Sequence, residues 1–74
     1  MAGTKVTDAA SFGREVRARR RELGYTQAFL SEFSGLSVSF ISDIERGKTT
    51  AEIGKILHLV NLLGMDLEIC VRGR

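Results

Sequence analysis

The stretch Tyr25-Thr-Gln-Ala-Phe-Leu-Ser-Glu-Phe-Ser-Gly-Leu-Ser-Val-Ser-Phe-Ile-Ser-Asp-Ile-Glu-Arg-Gly-Lys48 decides how this chain is read. It contains two short apolar-periodic segments separated by Gly35. Thr26 starts the first, Ala28, Leu30 and Phe33 supply its apolar positions, and Gly35 ends it. Ser37 starts the second, Phe40, Ile41 and Ile44 follow, and Gly47 closes it. Hydroxyl oxygens accept from the free N–H groups of a helix's first turn, and glycine adopts the left-handed backbone that ends one. The pattern predicts two helices joined by a tight turn, an arrangement that can present its second helix to the major groove of DNA. Leu30, Leu36, Ile41 and Ile44 are expected to pack the pair, with the small Ser31 and Ser34 where the helices approach. Ser37, Val38, Ser39, Ser42 and Asp43 then fall on the outer side or leading end of the second helix.

Working outward, residues 1–7 are small and polar and are expected to fray. Asp8 is a good N-cap, Phe12, Val16 and Leu23 recur at helical spacing with Arg20 on the same face, and Gly24 ends that helix. Downstream, Thr49-Thr50-Ala51-Glu52 has the form of a capping box, so a fourth helix is expected from there to Leu63, stopped by Gly64. Ile53, Ile56, Leu57, Val60 and Leu63 cover one broad face of it, and Leu59 and Leu62 extend that face. A helix apolar over so much of its circumference calls for two packing partners, its own core and a second subunit.

The tail changes period. Met65, Leu67, Ile69 and Val71 alternate with Asp66, Glu68, Cys70 and Arg72, which predicts a half-buried strand. No other segment is strand-like, and a lone strand leaves its backbone groups unpaired. The simplest partner is the same strand of a second copy, giving an antiparallel ribbon across a two-fold axis; the alternative is an extended tail on its own subunit. The expected fold is all-α, a bundle of four to five short helices over residues 8–64, plus one C-terminal β-strand over residues 65–72 for dimerisation.

Composition narrows the function. At 74 residues the chain holds one small core. Eleven Lys and Arg against nine Asp and Glu leave a net charge of +2, which excludes a polycation or a highly charged disordered tail. One Cys excludes an internal disulfide, and with one His there are too few ligands for structural zinc, so neither metal nor cofactor is expected. No apolar run is long enough to cross a membrane and residues 1–10 lack a signal-peptide core, so a cytoplasmic protein is expected. Small size and a sole imidazole, His58, argue against an enzyme. The basic run Arg17-Ala-Arg-Arg-Arg21 points in several directions around a helix and reads as a solvated face, with Arg20 inward. Phe29 and Phe33 are partly surplus to one core: core packing is the plain reading, a protein contact surface the other. Cys70 reads as a reduced side chain on the polar side of the strand.

Thr26-Gln27, Gly35-Leu36-Ser37 and Ile41-Ser42-Asp43-Ile44-Glu45-Arg46-Gly47-Lys48 together resemble the phage-repressor/Cro, or lambda-repressor-like, type of helix-turn-helix regulator, over about residues 12–64. The tail Leu63-Gly-Met-Asp-Leu-Glu-Ile-Cys70 is similar to that of HipB-type antitoxins, small dimeric repressors whose C-terminal strands form a shared ribbon and whose usual partner is a HipA-type serine/threonine kinase toxin. The resemblance implies that Gln27 touches the DNA backbone or a base edge, that Thr26 and Ser37 meet phosphate, and that Val38, Ser39 and Ser42 face bases. It implies that Arg46 and Lys48 hold phosphates and that Arg20 and Glu45 bridge the first and third helices. Leu59, Leu62, Met65, Leu67, Ile69 and Val71 are the expected dimer contacts. The base-facing set lacks a long Gln, Asn or Arg, so DNA shape is expected to contribute to recognition. Asp43 brings a negative charge to the groove, where it could accept from a cytosine amino group or simply repel phosphate when misplaced. The expected function is a sequence-specific repressor that autoregulates a toxin–antitoxin operon as a homodimer on a pseudo-palindromic operator. The alternatives are an interaction module whose main role is to inhibit a kinase toxin, and a stand-alone phage-type regulator.

Overall fold

The structure is a computed structural model and describes residues 3–73. Four helices follow one another: α1 (Ala9–Glu22), α2 (Gln27–Ser34), α3 (Val38–Glu45) and α4 (Ile53–Leu62). Each of the first three begins at a side chain suited to the task. Asp8 Oδ1 accepts from the Ser11 N–H at 2.7 Å while Ser11 Oγ accepts from the Asp8 N–H at 3.1 Å, a reciprocal cap. Those bonds from Ser11 hold the Asp8 carboxyl below its ordinary value of 3.8. Thr26 Oγ1 accepts from the Phe29 N–H and Ser37 Oγ from the Phe40 N–H, both at 3.0 Å. Gly35, at φ 77°, makes the left-handed turn that ends α2 and lets the chain reverse into α3.

The core forms where the four helices meet. Val16 of α1, Leu30 of α2, Ile41 of α3 and Leu59 of α4 are fully buried, and Leu36, Ile44 and Leu63 complete the cluster. Phe12, Leu23, Tyr25, Phe40, Ile56 and Met65 pack around it, half-buried. The α1–α3 crossing is close: a Cβ on Gly13 would lie 2.3 Å from the Ile44 carbonyl oxygen and 2.9 Å from that of Glu45. Arg19 Nε donates to the Leu63 carbonyl at 2.7 Å, satisfying the end of α4 from α1.

Several sequence expectations are corrected. No residue among those described lies in a strand, so the fold is all-α with four helices, and the anticipated C-terminal β-strand and ribbon are not part of it. The physical reason is the one that made the strand unusual: a strand exists by pairing, and this chain offers no second one. Met65 instead packs on the chain's own core, and Leu67 joins Phe12, Ile44, Ile53 and Ile56 around an apolar cleft. Helix α4 starts at Ile53, not at Thr49. Glu52 is its N-cap and makes no side-chain capping bond, so the Thr49-x-x-Glu52 spacing is not used. The expected apolar face of α4 is kept at Ile56, Val60 and Leu63, which turn to the core, but Leu59, expected at the dimer contact, is completely buried, whereas Ile53 and Leu57 are exposed. Phe33 lies on the surface rather than in the core. Of the terminal segment expected to fray, Met1 and Ala2 lie outside the described residues, and residues 3–7 have no regular structure.

Candidate nucleic-acid interface

Helices α2 and α3 and the Gly35-Leu36-Ser37 turn are locked to each other by side-chain-to-backbone bonds. Ser31 Oγ donates to the Leu36 carbonyl at 2.6 Å, and the Leu36 N–H donates to Ser34 Oγ at 3.1 Å. Leu36 itself is buried. The turn is thus satisfied at both of its central backbone groups, which fixes the angle at which α3 leaves it.

That angle divides α3 sharply. Ile41 and Ile44 go into the core. Ser37, Val38 and Ser39 are exposed, and Ser42 and Asp43 are half-buried on the outer side. Helical geometry puts residues three and four apart on one face, so Val38 or Ser39, then Ser42 and Asp43, then Arg46 form a continuous strip. Val38, Ser39, Ser42 and Asp43 are short, so the strip lies low until Arg46.

The charges on the strip are paired. Arg46 Nη2 lies 2.6 Å from Asp43 Oδ1, Arg46 Nη1 also donates to Ser42 Oγ, and Lys48 Nζ lies 3.5 Å from Asp43 Oδ2. One carboxylate therefore holds two cations, one on each oxygen. The Asp43–Arg46 pairing was legible as an i,i+3 spacing; that Lys48 returns to the same carboxylate depends on the turn at Gly47 and was not.

Behind the strip, Glu45 joins three elements. Arg20 Nε lies 2.6 Å from Glu45 Oε2, Arg20 Nη2 donates to Oε1 at 3.0 Å, and Gln27 Nε2 donates to Oε1 at 3.1 Å. Arg20 Nη1 also donates to the Tyr25 carbonyl at 2.8 Å. The bond to Glu45 raises the Arg20 pKa further above its ordinary value. Gln27, expected from the resemblance to meet DNA, commits one N–H of its amide to Glu45, which leaves the second N–H and the carbonyl oxygen for other partners.

Elsewhere, half-buried Tyr25 and exposed Phe29 and Phe33 form an aromatic row, with ring centroids 5.0 Å apart for Tyr25–Phe29 and 6.1 Å for Phe29–Phe33. His58 Nε2 is 2.9 Å from the Ser34 carbonyl oxygen. Cys70 is free and exposed. Ile69 is 97% exposed, and Leu62 is half-buried. Among the described residues no group of three or more His, Cys, Asp or Glu is arranged to hold a metal ion, and no helix is long and apolar enough to cross a membrane.

Comparison with known proteins gives a consistent result. The family model described as Helix-turn-helix matches residues 16–69. The uncharacterized HTH-type transcriptional regulator y4mF of Sinorhizobium fredii is 36% identical over 69 residues, covering 93% of this chain and 91% of its own. The corresponding regulator YazB of Bacillus subtilis is 33% identical over 61 residues, covering 82% and 88%. Among solved structures, a chain of the HipB-O4 20mer complex superposes with a TM-score of 0.84 at 17% identity, covering 95% of this chain and 99% of that one. A chain of the HipA-HipB-O2-O3 complex superposes equally well, at the same identity and coverage.

Proposed function

The chain belongs to the helix-turn-helix family, whose members are DNA-binding transcriptional regulators and not enzymes, and from that premise we propose that it is an autoregulating repressor that docks α3 into the major groove of an operator as a homodimer. The single observation that carries this reading is the outer strip of α3. Val38, Ser39 and Ser42 stand clear of the core, two hydroxyl-capped helix N-termini lie beside them, and two cations follow. Val38 suits a thymine methyl group and the serine hydroxyls suit either kind of base pair. Thr26 and Ser37 put backbone N–H groups and hydroxyls toward phosphate, and Arg46 and Lys48 add charge. Two recognition helices would sit about 34 Å apart, one turn of DNA. The partner copy meets the exposed apolar side chains Ile69 and Val71, with Leu62, Leu67 and Met65 contributing the surface their own chain leaves open. Leu59, having no exposed surface, has no part in this contact. A cytoplasmic location fits such a regulator.

The HipB complexes, which contain HipA in one case, support a finer reading: this chain is an antitoxin whose second partner is a HipA-like kinase. One observation favours giving the kinase a surface of its own, namely the exposed, stacked pair Phe29 and Phe33 flanked by half-buried Tyr25, which is larger than isolated surface apolar residues require. In that second reading the chain is chiefly an interaction module. A kinase-sized reading frame beside the gene favours the antitoxin, and its absence favours a stand-alone regulator.

The test is a fluorescence-anisotropy titration of the protein against DNA from upstream of its own gene, at several salt concentrations, with scrambled DNA of equal length as competitor. Tight, salt-dependent binding that survives the competitor is the expected result. Equal weak binding to both DNAs would overturn autoregulation.

A further inference from the structure

The two cations that follow α3 are not free in the unbound protein. Arg46 and Lys48 each reach Asp43, one on Oδ1 at 2.6 Å and one on Oδ2 at 3.5 Å, and Arg46 donates a second bond to Ser42 Oγ. Asp43 is the more enclosed partner: its side chain is 29% exposed against 67% and 51% for the two cations. The carboxylate is therefore fixed by the helix, and the cations come to it. It also lies on the same strip as Ser39 and Ser42, where a docked duplex would put base edges.

We propose that Asp43 is a specificity-determining residue that couples base recognition to phosphate binding by withholding Arg46 and Lys48 from DNA until its carboxylate is engaged by a base. This rests on the DNA-binding reading above and adds to it a reason for a negative charge in the groove. On a duplex with no donor opposite Asp43, the carboxylate keeps its two cations and holds both back from the phosphates. On a duplex that presents a cytosine amino group there, the N4 hydrogen replaces the cations on the carboxylate. Arg46 and Lys48 are then released to the flanking phosphates, where each neutralised phosphate also frees counterions. The exchange gives the correct sequence one base contact and two freed cations at once, whereas an incorrect sequence gains no base contact and meets two cations still restrained by Asp43. Exposed ion pairs are weak, so the pairing restrains the cations without making them unreachable.

The experiment compares wild type with Asp43→Asn, which keeps the size and removes the charge, on scrambled duplex DNA and on DNA from upstream of the gene. The expected result is that Asp43→Asn binds scrambled DNA about three- to tenfold more tightly at low salt. Its dependence of log K on log salt should be steeper by roughly 0.9 to 1.8, the equivalent of one or two phosphates. The preference for upstream over scrambled DNA should fall in the same variant. Simple repulsion between Asp43 and DNA would also tighten binding, so the comparison is repeated in an Arg46→Gln/Lys48→Gln background. If Asp43 acts through the two cations, Asp43→Asn has little effect on scrambled DNA there. An undiminished effect in that background, or no effect of Asp43→Asn in the wild-type background, overturns the proposal. Wild-type protein that binds no DNA at any salt concentration would instead overturn the DNA-binding reading, and this inference with it.

Discussion

Glu45 and Arg20 form the one ion pair of the described residues that is shut away from water. Both carboxylate oxygens are engaged by the guanidinium, and the two side chains are only 4% and 11% exposed. The pair ties the end of α3, the helix proposed to read DNA, to the last turn of α1. Gln27 and the Tyr25 carbonyl fill the remaining bonds, so no polar side-chain atom there is left without a partner. Removing one member strands the other's charge. Glu45→Ala should therefore destabilise the fold by about 3 kcal/mol, whereas Arg20→Met with Glu45→Leu together should cost clearly less. Urea denaturation of the three proteins checks this; equal losses would mean the pair is not the source of the cost.

Gly13 predicts a result opposite to helix propensity. Alanine in the interior of a helix is normally favoured over glycine by about 1 kcal/mol. Here the added methyl group would meet the backbone of Ile44 and Glu45, which cannot rotate aside. Gly13→Ala should lower stability by about 3 kcal/mol, and a thermal melt more stable than wild type would show that α1 and α3 are less closely apposed.

Ser39 is exposed and makes no tertiary contact that its replacement would break. Ser39→Glu should leave the circular-dichroism melt within about 0.5 kcal/mol of wild type, while abolishing operator binding because a carboxylate is thrust toward phosphates and bases. Operator binding at wild-type affinity would refute the placement of the recognition helix.

The Asp8 cap supplies a pH dependence with a defined sign. Its carboxyl is held below the ordinary 3.8 by bonds from Ser11, so the folded state favours the ionised form. The stabilisation is complete above pH 3.8 and is lost as pH falls through the lower folded value. Asp8→Ala should show a shallower loss of helix signal between pH 4 and pH 2 than wild type, about one titrating group's worth. Superimposable acid titrations would contradict it.

Ile69 tests self-association. A side chain 97% exposed contributes nothing to its own core, so Ile69→Lys should leave the monomer's stability unchanged. If Ile69 meets the partner copy, sedimentation should show a dimer dissociation constant raised at least tenfold, since burying an isoleucine is worth about 1.5–3 kcal/mol. An unaltered constant would place the contact elsewhere.

The helices of this chain were legible because their ends are written in side chains. Asp8, Thr26 and Ser37 cap where their chemistry says they should. The start of α4 was misread because Thr49-x-x-Glu52 mimics a capping box, while the apolar face that fixes a helix begins only with Ile53. The outward side of α3 could be derived from Ile41 and Ile44 alone. Phe33 could not be placed, because an eight-residue helix that buries only Leu30 has room for no second large side chain. The alternation from Met65 to Arg72 carries a real period but not the identity of a partner, and the tail accordingly pairs into no strand among the described residues. The convergence of Lys48 and Arg46 on Asp43 belongs to the turn after α3, where spacing along the sequence no longer reports distance in space.

Helix α4 begins without a side-chain cap, behind a run from Lys48 to Glu52 that is exposed throughout, whereas the α2–α3 turn has its backbone bonds answered on both sides. The two connections therefore differ in how much added length they can absorb. An extra residue between Ser34 and Ser37 would break both bonds of Leu36 and swing α3 away from its bearing. The same residue placed among Thr49, Thr50 and Ala51 would loop into solvent and cost only the entropy of a slightly longer closure. This makes the 49–51 segment the natural place to carry a tag or a grafted peptide.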